Sequence, residues 1–150
     1  MSNKIKVSNI EQIEYAVPDA KAAARLFEEL FDLEPFEDGP EDGVALDGLY
    51  CGKPMHTVTK GSMGKWGDLE IELLQAVEGD SPWGDAVKNG REGINHIRFQ
   101  VEDTKAAIER FEELGCEVQW KLEYEPMNRT MIYAFHEPTG LMFEASGPMD

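Results

Sequence analysis

The chain has 150 residues, of which 41% are hydrophobic and 29% are charged, and this composition predicts one globular domain rather than a disordered segment. The 30 acidic residues against 14 Lys and Arg give a net charge of -16, which argues against binding to a nucleic-acid backbone. Two cysteines without a CxxC spacing are too few for a disulfide framework, and the sequence has no apolar run typical of a signal peptide or a membrane span. We therefore expect a cytoplasmic protein that binds neither nucleic acid nor membrane.

The first of two similar halves is predicted to run from about residue 9 to 78. Alternating β-formers indicate a strand over residues 10–17, and Asp19 is placed to cap the helix that follows. Further strands are predicted at residues 34–36, 44–51 and 69–74. Gly52–Gly67 contains four glycines and few aliphatic residues, so it is predicted to be a long irregular loop that acts as a lid or a binding loop.

A linker is predicted at about residues 81–92. Ser81 and Pro82 are typical of the first positions of a helix, and this short helix is expected to end near Asn89. The segment Gly90–Gly93 then forms a hinge into the second half.

The second half, about residues 93–147, opens with an internal repeat of the first. Residues 10–30 recur 84 positions later as residues 94–114, with 11 of 21 positions identical. Gly115 fits the end of the second helix. Further strands are predicted at residues 117–122, 130–135 and 141–145.

The repeat predicts one supersecondary unit that is used twice. Each unit has the predicted order β-α-β-β-β, so we expect a single α+β domain over residues 1–150, in which two βαβββ modules form one cupped eight-stranded mixed sheet. The seam between two such modules is a natural place for a concave site.

Four of the predicted strands carry polar residues on one face, because side chains two positions apart lie on the same side of a strand. These residues are Gln12 and Glu14, Glu70 and Glu72, His96 and Arg98, and Glu144, which follows Met142. If helices cover the opposite, apolar faces, the polar rows line the inside of the sheet. The alternative is that the rows face solvent.

A metal site is one interpretation of these rows. Gln12, Glu72, His96 and Glu144 would offer one amide oxygen, two carboxylates and one imidazole. Such a mixed set suits Zn²⁺, Co²⁺, Ni²⁺ or Mn²⁺ and leaves positions for water or substrate oxygens. A carboxylate that detaches from the metal can also act as a base.

The remaining polar residues of the rows are candidates for substrate binding. Arg98 suits a carboxylate or a phosphate of a substrate, and an ion pair with Glu14, its counterpart in the repeat, is the alternative. Glu14 and Glu70 would face the same cavity. Glu70 is also an alternative to Glu72 as the ligand, since a shift of two residues keeps the side chain on the same face.

The sequence resembles the vicinal oxygen chelate superfamily of glyoxalases, bleomycin-resistance proteins and extradiol dioxygenases over about residues 9 to 147. Within that group it is most similar to the methylmalonyl-CoA epimerases. Here IEQIEYAVPDA resembles their IDHVAYA-type first strand, NGREGINHIRFQVEDT resembles their segment ending in GLHHMAWRVDD, and HEPTGLMFEASG resembles their last strand as well as that of the glyoxalases.

The resemblance implies four metal ligands, one from the first and one from the last strand of each module. Carried over by position, these are Gln12, Glu72, His96 and Glu144. Epimerases have histidine at the first of these positions and glutamine at the second, whereas this combination resembles the ligand set of eukaryotic glyoxalase I. The extradiol dioxygenases usually need two histidines and one glutamate, which the sequence lacks at these positions.

The second catalytic glutamate of the epimerases follows a P-E-x-G-V segment. It would align with Leu46 in GPEDGVALDG, and the adjacent Asp47 is expected to point to the other face. A standard two-base epimerisation is therefore not the expectation from these residues.

The expected function is a metal-dependent isomerase, epimerase or lyase that removes a proton next to a carbonyl and stabilises the enolate. Glu144 is the predicted base and Glu72 the second acid or base. The resemblance to epimerases implies a small-molecule substrate of the thioester class and a homodimer. The alternatives are a glyoxalase I-like lactoylglutathione lyase, a hydrolase, and a metal-free binding protein of the bleomycin-resistance type.

Overall fold

Each copy of the repeat folds as a strand followed by a capped helix. In the computed structural model, which describes residues 3–149, the side chains of Asp19 and Asp103 accept hydrogen bonds of 3.0 Å from the amides of Ala22 and Ala106. Both predicted N-caps are confirmed. The short linker helix also forms, and the hydroxyl of Ser81 accepts a hydrogen bond from the amide of Gly84.

The described residues form nine strands and three α-helices. The first module contains β1 (Gln12–Ala16), α1 (Ala20–Leu30), β2 (Glu37–Asp38), β3 (Val44–Tyr50), β4 (Lys53–Trp66) and β5 (Leu69–Glu78). The linker contains α2 (Pro82–Lys88), and the second module contains β6 (Gly93–Gln100), α3 (Thr104–Glu113), β7 (Glu117–Tyr124), β8 (Arg129–His136) and β9 (Leu141–Pro148).

The two modules share one mixed sheet whose eight long strands close on themselves. Strands β1 and β6 pair antiparallel at the seam, and each is flanked by a parallel strand, β5 and β9 respectively. On the far side, β3 meets β7 through Leu49 with Lys121 and Tyr50 with Trp120, which completes a ring of eight strands. The predicted α+β fold with a curved eight-stranded mixed sheet is confirmed, and the two-residue β2 is an additional edge strand on β4.

Three apolar cores hold the ring together. Helix α1 covers the outside of the first module and α3 the outside of the second, each over its own cluster of buried side chains. The third cluster lies inside the ring, where Trp83 of α2 packs between residues of both modules, among them Trp120 and Tyr133. Trp83 is 1% exposed and donates a hydrogen bond from Nε1 to Oγ1 of Thr59 at 3.0 Å. Helix α2 therefore fills part of the interior instead of lying outside it.

The predicted irregular loop at Gly52–Gly67 is wrong. This segment is almost entirely strand β4, which pairs with β3 through its first half and with β5 through its second. At Gly64 a side chain would collide with the ring of Phe36, so this glycine allows close packing and does not mark a turn. The strand predicted at residues 34–36 forms slightly later, as β2 at Glu37–Asp38.

Candidate active site

The polar residues of the predicted rows face the inside of the ring. The register pairs Gln12 with Arg98 and Glu14 with His96 across the seam. Paired residues of neighbouring strands lie on the same face of a sheet, and Gln12, Glu14, His96 and Glu144 are all buried. The alternative that these rows face solvent is wrong for these four residues.

Two carboxylates converge on one imidazole at the centre of this face. Nε2 of His96 lies 3.0 Å from Oε1 of Glu144 and contacts Oε2 of Glu14. One ligand atom of each residue lies within 4.8 Å of the others. On the other side of the imidazole, Nδ1 lies 2.8 Å from the side-chain oxygen of Asn95. This arrangement has the spacing of a divalent-metal site with one nitrogen and two oxygen ligands.

Tyr133 completes the surroundings of His96. Its hydroxyl donates a 2.8 Å hydrogen bond to Oε2 of Glu14, and its ring lies 4.2 Å from the imidazole of His96. Burial and then the negative charge of Glu14 raise the pKa of Tyr133 well above its usual value, so the phenol keeps its proton and acts as a donor.

Glu14 is unusual because it is a completely buried acid beside other acids. Burial is the largest cause that raises the pKa of Glu14 well above its usual value, and the charges of Glu72 and Glu144 add to it. Within residues 3–149, Oε1 of Glu14 and Oε1 of Gln12 are buried without a hydrogen-bond partner. The carboxylate of Glu14 contacts the imidazole of His96, and an orphaned carboxylate oxygen there is a donor that a divalent cation would use. The charge of the cation would offset the repulsion among the carboxylates. Glu14, His96 and Glu144 therefore fit a divalent metal. The predicted ligand set, which has Glu72 and Gln12 in place of Glu14, stays a prediction.

Gln12 is held in place by its amide nitrogen. Nε2 donates to Oε1 of Glu70 at 2.6 Å, while Oε1 is the orphaned atom that would act as a ligand. Glu70 also lies 3.6 Å from Arg98 and 3.7 Å from Lys65. Glu70 thus anchors Gln12, and Glu72 rather than Glu70 is the acid of β5 whose charge acts on Glu14.

Arg98 contacts acids other than Glu14, which the sequence suggests as its partner. Its Nε donates to Oε1 of Glu11 at 2.8 Å, and its second contact is Glu70. The predicted alternative of an ion pair with Glu14 is wrong, because the register places Glu14 opposite His96 and Arg98 opposite Gln12. The charges of Glu144 and Glu72 also act on Arg98.

Glu72 lies at the wall of a cleft on the inner face of the first module. The cleft has a volume of about 330 Å³ and is lined mainly by Val44, Leu46, Met63, Leu74 and Gly61. Glu72 is half-buried there. Burial, followed by the charge of Glu144, raises its pKa to about 8, and the charge of Arg98 opposes this rise. A carboxyl group with such a pKa can accept or donate a proton near neutral pH.

The neighbourhood of Leu46 matches what the sequence predicts. Leu46 lines the cleft near Glu72, whereas Asp47 lies on the exposed outer face, 2.7 Å from Nδ1 of His56. The position of the second epimerase glutamate is therefore apolar in this chain, and Asp47 does not substitute for it.

Two residues of the site were not among the predicted ligands. Glu14 was expected to contact substrate, yet it is the first-strand acid nearest to His96. Tyr133 was not singled out from the sequence. The two-residue alternation of β8, which puts Tyr133 on the same face as Met131, could have indicated it.

A model of the Glyoxalase/Bleomycin resistance protein/Dioxygenase superfamily matches residues 11–135. The chain belongs to this superfamily. An ethylmalonyl-CoA/methylmalonyl-CoA epimerase of Cereibacter sphaeroides is 30% identical to this superfamily member over 115 residues, which are 75% of each chain.

Solved structures of the superfamily fold resemble the chain along nearly its whole length. A hypothetical protein of Bacillus halodurans C-125 has a TM-score of 0.65 at 19% identity, with 95% of each chain covered. A Streptomyces coelicolor methylmalonyl-CoA epimerase in complex with 2-nitronate-propionyl-CoA has a TM-score of 0.60 at 18% identity, with 97% of this chain and 100% of that chain covered. The methylmalonyl-CoA epimerase of Mycobacterium tuberculosis has a TM-score of 0.61 at 15% identity, with 100% and 94% covered. At these identities the likeness shows the fold.

In residues 3–149, none of the helices has the length and the apolar character that a membrane span needs.

Proposed function

We propose that the chain is a metal-dependent enzyme that removes a proton from the carbon next to the carbonyl of a thioester, as an isomerase or epimerase. The observation that carries this proposal is the convergence of Glu14 and Glu144 on Nε2 of His96, with all three residues buried on the inner face of the ring. The curated relative, an epimerase of two acyl-CoA substrates, supports the thioester class.

The proposed ligands are His96, Glu144 and Glu14, with Oε1 of Gln12 as a further oxygen donor. A divalent metal bound there would polarise the substrate carbonyl as a Lewis acid and offset negative charge that develops on its oxygen. The two carboxylates of Glu14 and Glu144 would balance the charge of Zn²⁺, Co²⁺, Ni²⁺ or Mn²⁺.

Glu72 is the proposed acceptor of the proton. It faces the cleft in which a substrate can lie, whereas Glu144, the predicted base, is occupied by His96. A positioned carboxylate of this kind contributes roughly 10²- to 10⁴-fold to proton abstraction. Glu144 is therefore proposed as a ligand and Glu72 as the base. The homodimer and the cytoplasmic location stay predictions.

The test is exchange of the α-proton with solvent. Protein loaded with Co²⁺ or Zn²⁺ is incubated with an acyl-CoA in D₂O, and uptake of deuterium at the α-carbon is followed by mass spectrometry. Glu72→Gln is expected to lose at least about 100-fold in exchange rate. Glu78→Gln, an exposed position of the same strand, is the matched control.

Two outcomes would contradict the proposal. The first is a protein that binds less than a stoichiometric amount of metal after dialysis against Co²⁺ or Zn²⁺, which favours the metal-free binding protein. The second is a protein that binds stoichiometric metal but with which the acyl-CoA takes up no deuterium from the solvent. This result would exclude proton removal next to the carbonyl.

A further inference from the structure

A row of four polar residues crosses the inner face of the ring beside Glu72. The strand register pairs Lys65 with Glu70, Glu70 with Gln12, and Gln12 with Arg98. Paired residues share one face of a sheet, and Gln12 is buried on the inner face, so Lys65 and Arg98 are the two cations of this row. The row therefore brings positive charge next to the cleft.

Lys65 is the less engaged of these two cations. Its ammonium lies 3.7 Å from Oε2 of Glu70, which is beyond hydrogen-bond distance, and its side chain is 64% exposed. Arg98 is 2.8 Å from Glu11 and 3.6 Å from Glu70, and its side chain is 21% exposed. Glu70 also accepts the hydrogen bond from Gln12. Because Glu70 is shared among three neighbours, the ammonium of Lys65 keeps donors for a ligand.

The side chain of Lys65 can reach a group that is bound at Glu72. Glu72 lies opposite Met63 in the antiparallel pair of β4 and β5, so Lys65 is the diagonal neighbour of Glu72. Diagonal neighbours on one face are about 7 to 8 Å apart, a distance that a long side chain can span. The stem of a lysine is flexible, and that of Lys65 is mostly exposed, so its ammonium can turn from Glu70 towards the cleft.

Lys65 and the proposed metal site lie on different sides of Glu72. Strand β5, which carries Glu72, is placed between β4, which carries Lys65, and β1, which carries Glu14. A thioester whose α-carbon faces Glu72 and whose carbonyl oxygen faces the metal site therefore has Lys65 on its other side. In a protein with a net charge of -16, a cation at this position would attract an anionic substrate.

We infer that Lys65 binds an anionic oxygen group of the thioester substrate, as a cation separate from the proposed metal. This inference rests on the proposed function and adds a substrate-binding residue to it. Two parts of an acyl-CoA can carry such a group, namely a carboxylate of the acyl chain and the phosphates of coenzyme A. A lysine binds either of them as a point charge.

Binding of three thioesters to the metal-loaded protein, measured by calorimetry, tests the role of Lys65. S-isobutyryl-pantetheine has no anionic group, isobutyryl-CoA has the phosphates, and methylmalonyl-CoA has the phosphates and an acyl carboxylate. Lys65→Met is expected to lose about tenfold in affinity for a thioester whose anion Lys65 binds, and less than about twofold for the pantetheine ester. A loss for both CoA esters identifies the phosphates, and a loss for methylmalonyl-CoA alone identifies the carboxylate.

Matched variants separate the charge of Lys65 from its structural effects. All variants are first shown to bind the same amount of metal. Lys65→Arg keeps the charge and should retain most of the affinity, whereas Lys60→Met removes a lysine from the outer face of the same strand and should change none of the three affinities. The loss in Lys65→Met should shrink at high salt, because salt screens an exposed charge. Unchanged affinities in Lys65→Met, or equal losses for all three thioesters, would overturn the inference.

Failure of the proposed function gives a different result. If Lys65→Met weakens the binding of the CoA esters but the parent catalyses no deuterium uptake, the binding residue is correct and the proposed chemistry is wrong. If the parent exchanges the α-proton and Lys65→Met binds every thioester as the parent does, the chemistry stands and the role of Lys65 is wrong.

Discussion

The side-chain oxygen of Asn95 lies 2.8 Å from Nδ1 of His96. An amide oxygen is an acceptor, so this contact favours the tautomer in which Nδ1 carries the proton and donates it to Asn95. With Nδ1 protonated, Nε2, which faces Glu14 and Glu144, would offer its lone pair to a divalent cation bound among these residues. Asn95 is thus a positioning residue that prepares His96 to act as a ligand.

Asn95→Leu is expected to weaken the affinity for Zn²⁺ or Co²⁺ by roughly 10- to 100-fold, because His96 loses the acceptor that fixes its ring. The affinity is measured by competition with a chromophoric chelator, and the tautomer of His96 in the metal-free protein by ¹⁵N NMR. Asn95→Asp keeps an acceptor and should retain both the affinity and the tautomer. An unchanged affinity in Asn95→Leu would show that Asn95 has no positioning role.

Much of this site can be predicted from the sequence because the repeat fixes which strands are equivalent. The two-residue alternation then places Gln12, Glu72, His96 and Glu144 on one face, and the structure has them there. The nearest contacts of His96 do not follow from the repeat. Ile13 pairs with its own equivalent, Ile97, and in an antiparallel register the residues on either side of Ile13 therefore exchange partners. His96 thus lies opposite Glu14 and not opposite Gln12, its equivalent.

Other features depend on contacts between residues that are far apart in the sequence. The ring closes through only two residue pairs of β3 and β7, which alternation within a strand cannot indicate. The entry of α2 into the interior depends on the space left by both modules. In β4 the glycines were interpreted as breakers, although Gly64 is required by the ring of Phe36.

Glu14→Gln is predicted to raise the stability of the metal-free protein and to weaken its binding of metal. The buried carboxyl of Glu14 has a raised pKa, so Glu14→Gln should make the metal-free protein more stable at pH 7.5. The same change removes a proposed ligand, and it should weaken Zn²⁺ binding by on the order of 100-fold, a loss similar to removal of one partner of a buried ion pair. Urea unfolding with EDTA and with excess Zn²⁺ measures both effects. Glu123→Gln, an exposed position on β7, is the control, and a Glu14→Gln protein that is stabilised by Zn²⁺ as strongly as the parent would exclude Glu14 as a ligand.

The pKa of Glu72 predicts how the stability of the metal-free protein depends on pH. A carboxyl group whose pKa is raised from its ordinary value near 4.5 to about 8 in the folded state stabilises the fold while it is protonated. This contribution is complete below the ordinary pKa and is lost as the pH rises through about 8. Unfolding free energies in EDTA at pH 5, 6, 7 and 8 should therefore fall less steeply for Glu72→Gln, with a difference on the order of a few kcal/mol. Parallel pH profiles for the parent, Glu72→Gln and the control Glu78→Gln would contradict the raised pKa.

Trp83 is predicted to be the main apolar support inside the ring. Its indole is 1% exposed, packs edge-on against Trp120 and Tyr133, and donates to Thr59. Trp83→Ala leaves a large cavity, so it should lower the free energy of unfolding by about 3 to 5 kcal/mol. Tyr133 contacts both Trp83 and Glu14, so Trp83→Ala should also weaken metal binding. Trp83→Phe retains most of the packing, and its metal affinity should stay close to that of the parent. A Trp83→Ala protein that unfolds at the parental urea concentration would mean that α2 does not support the interior of the ring.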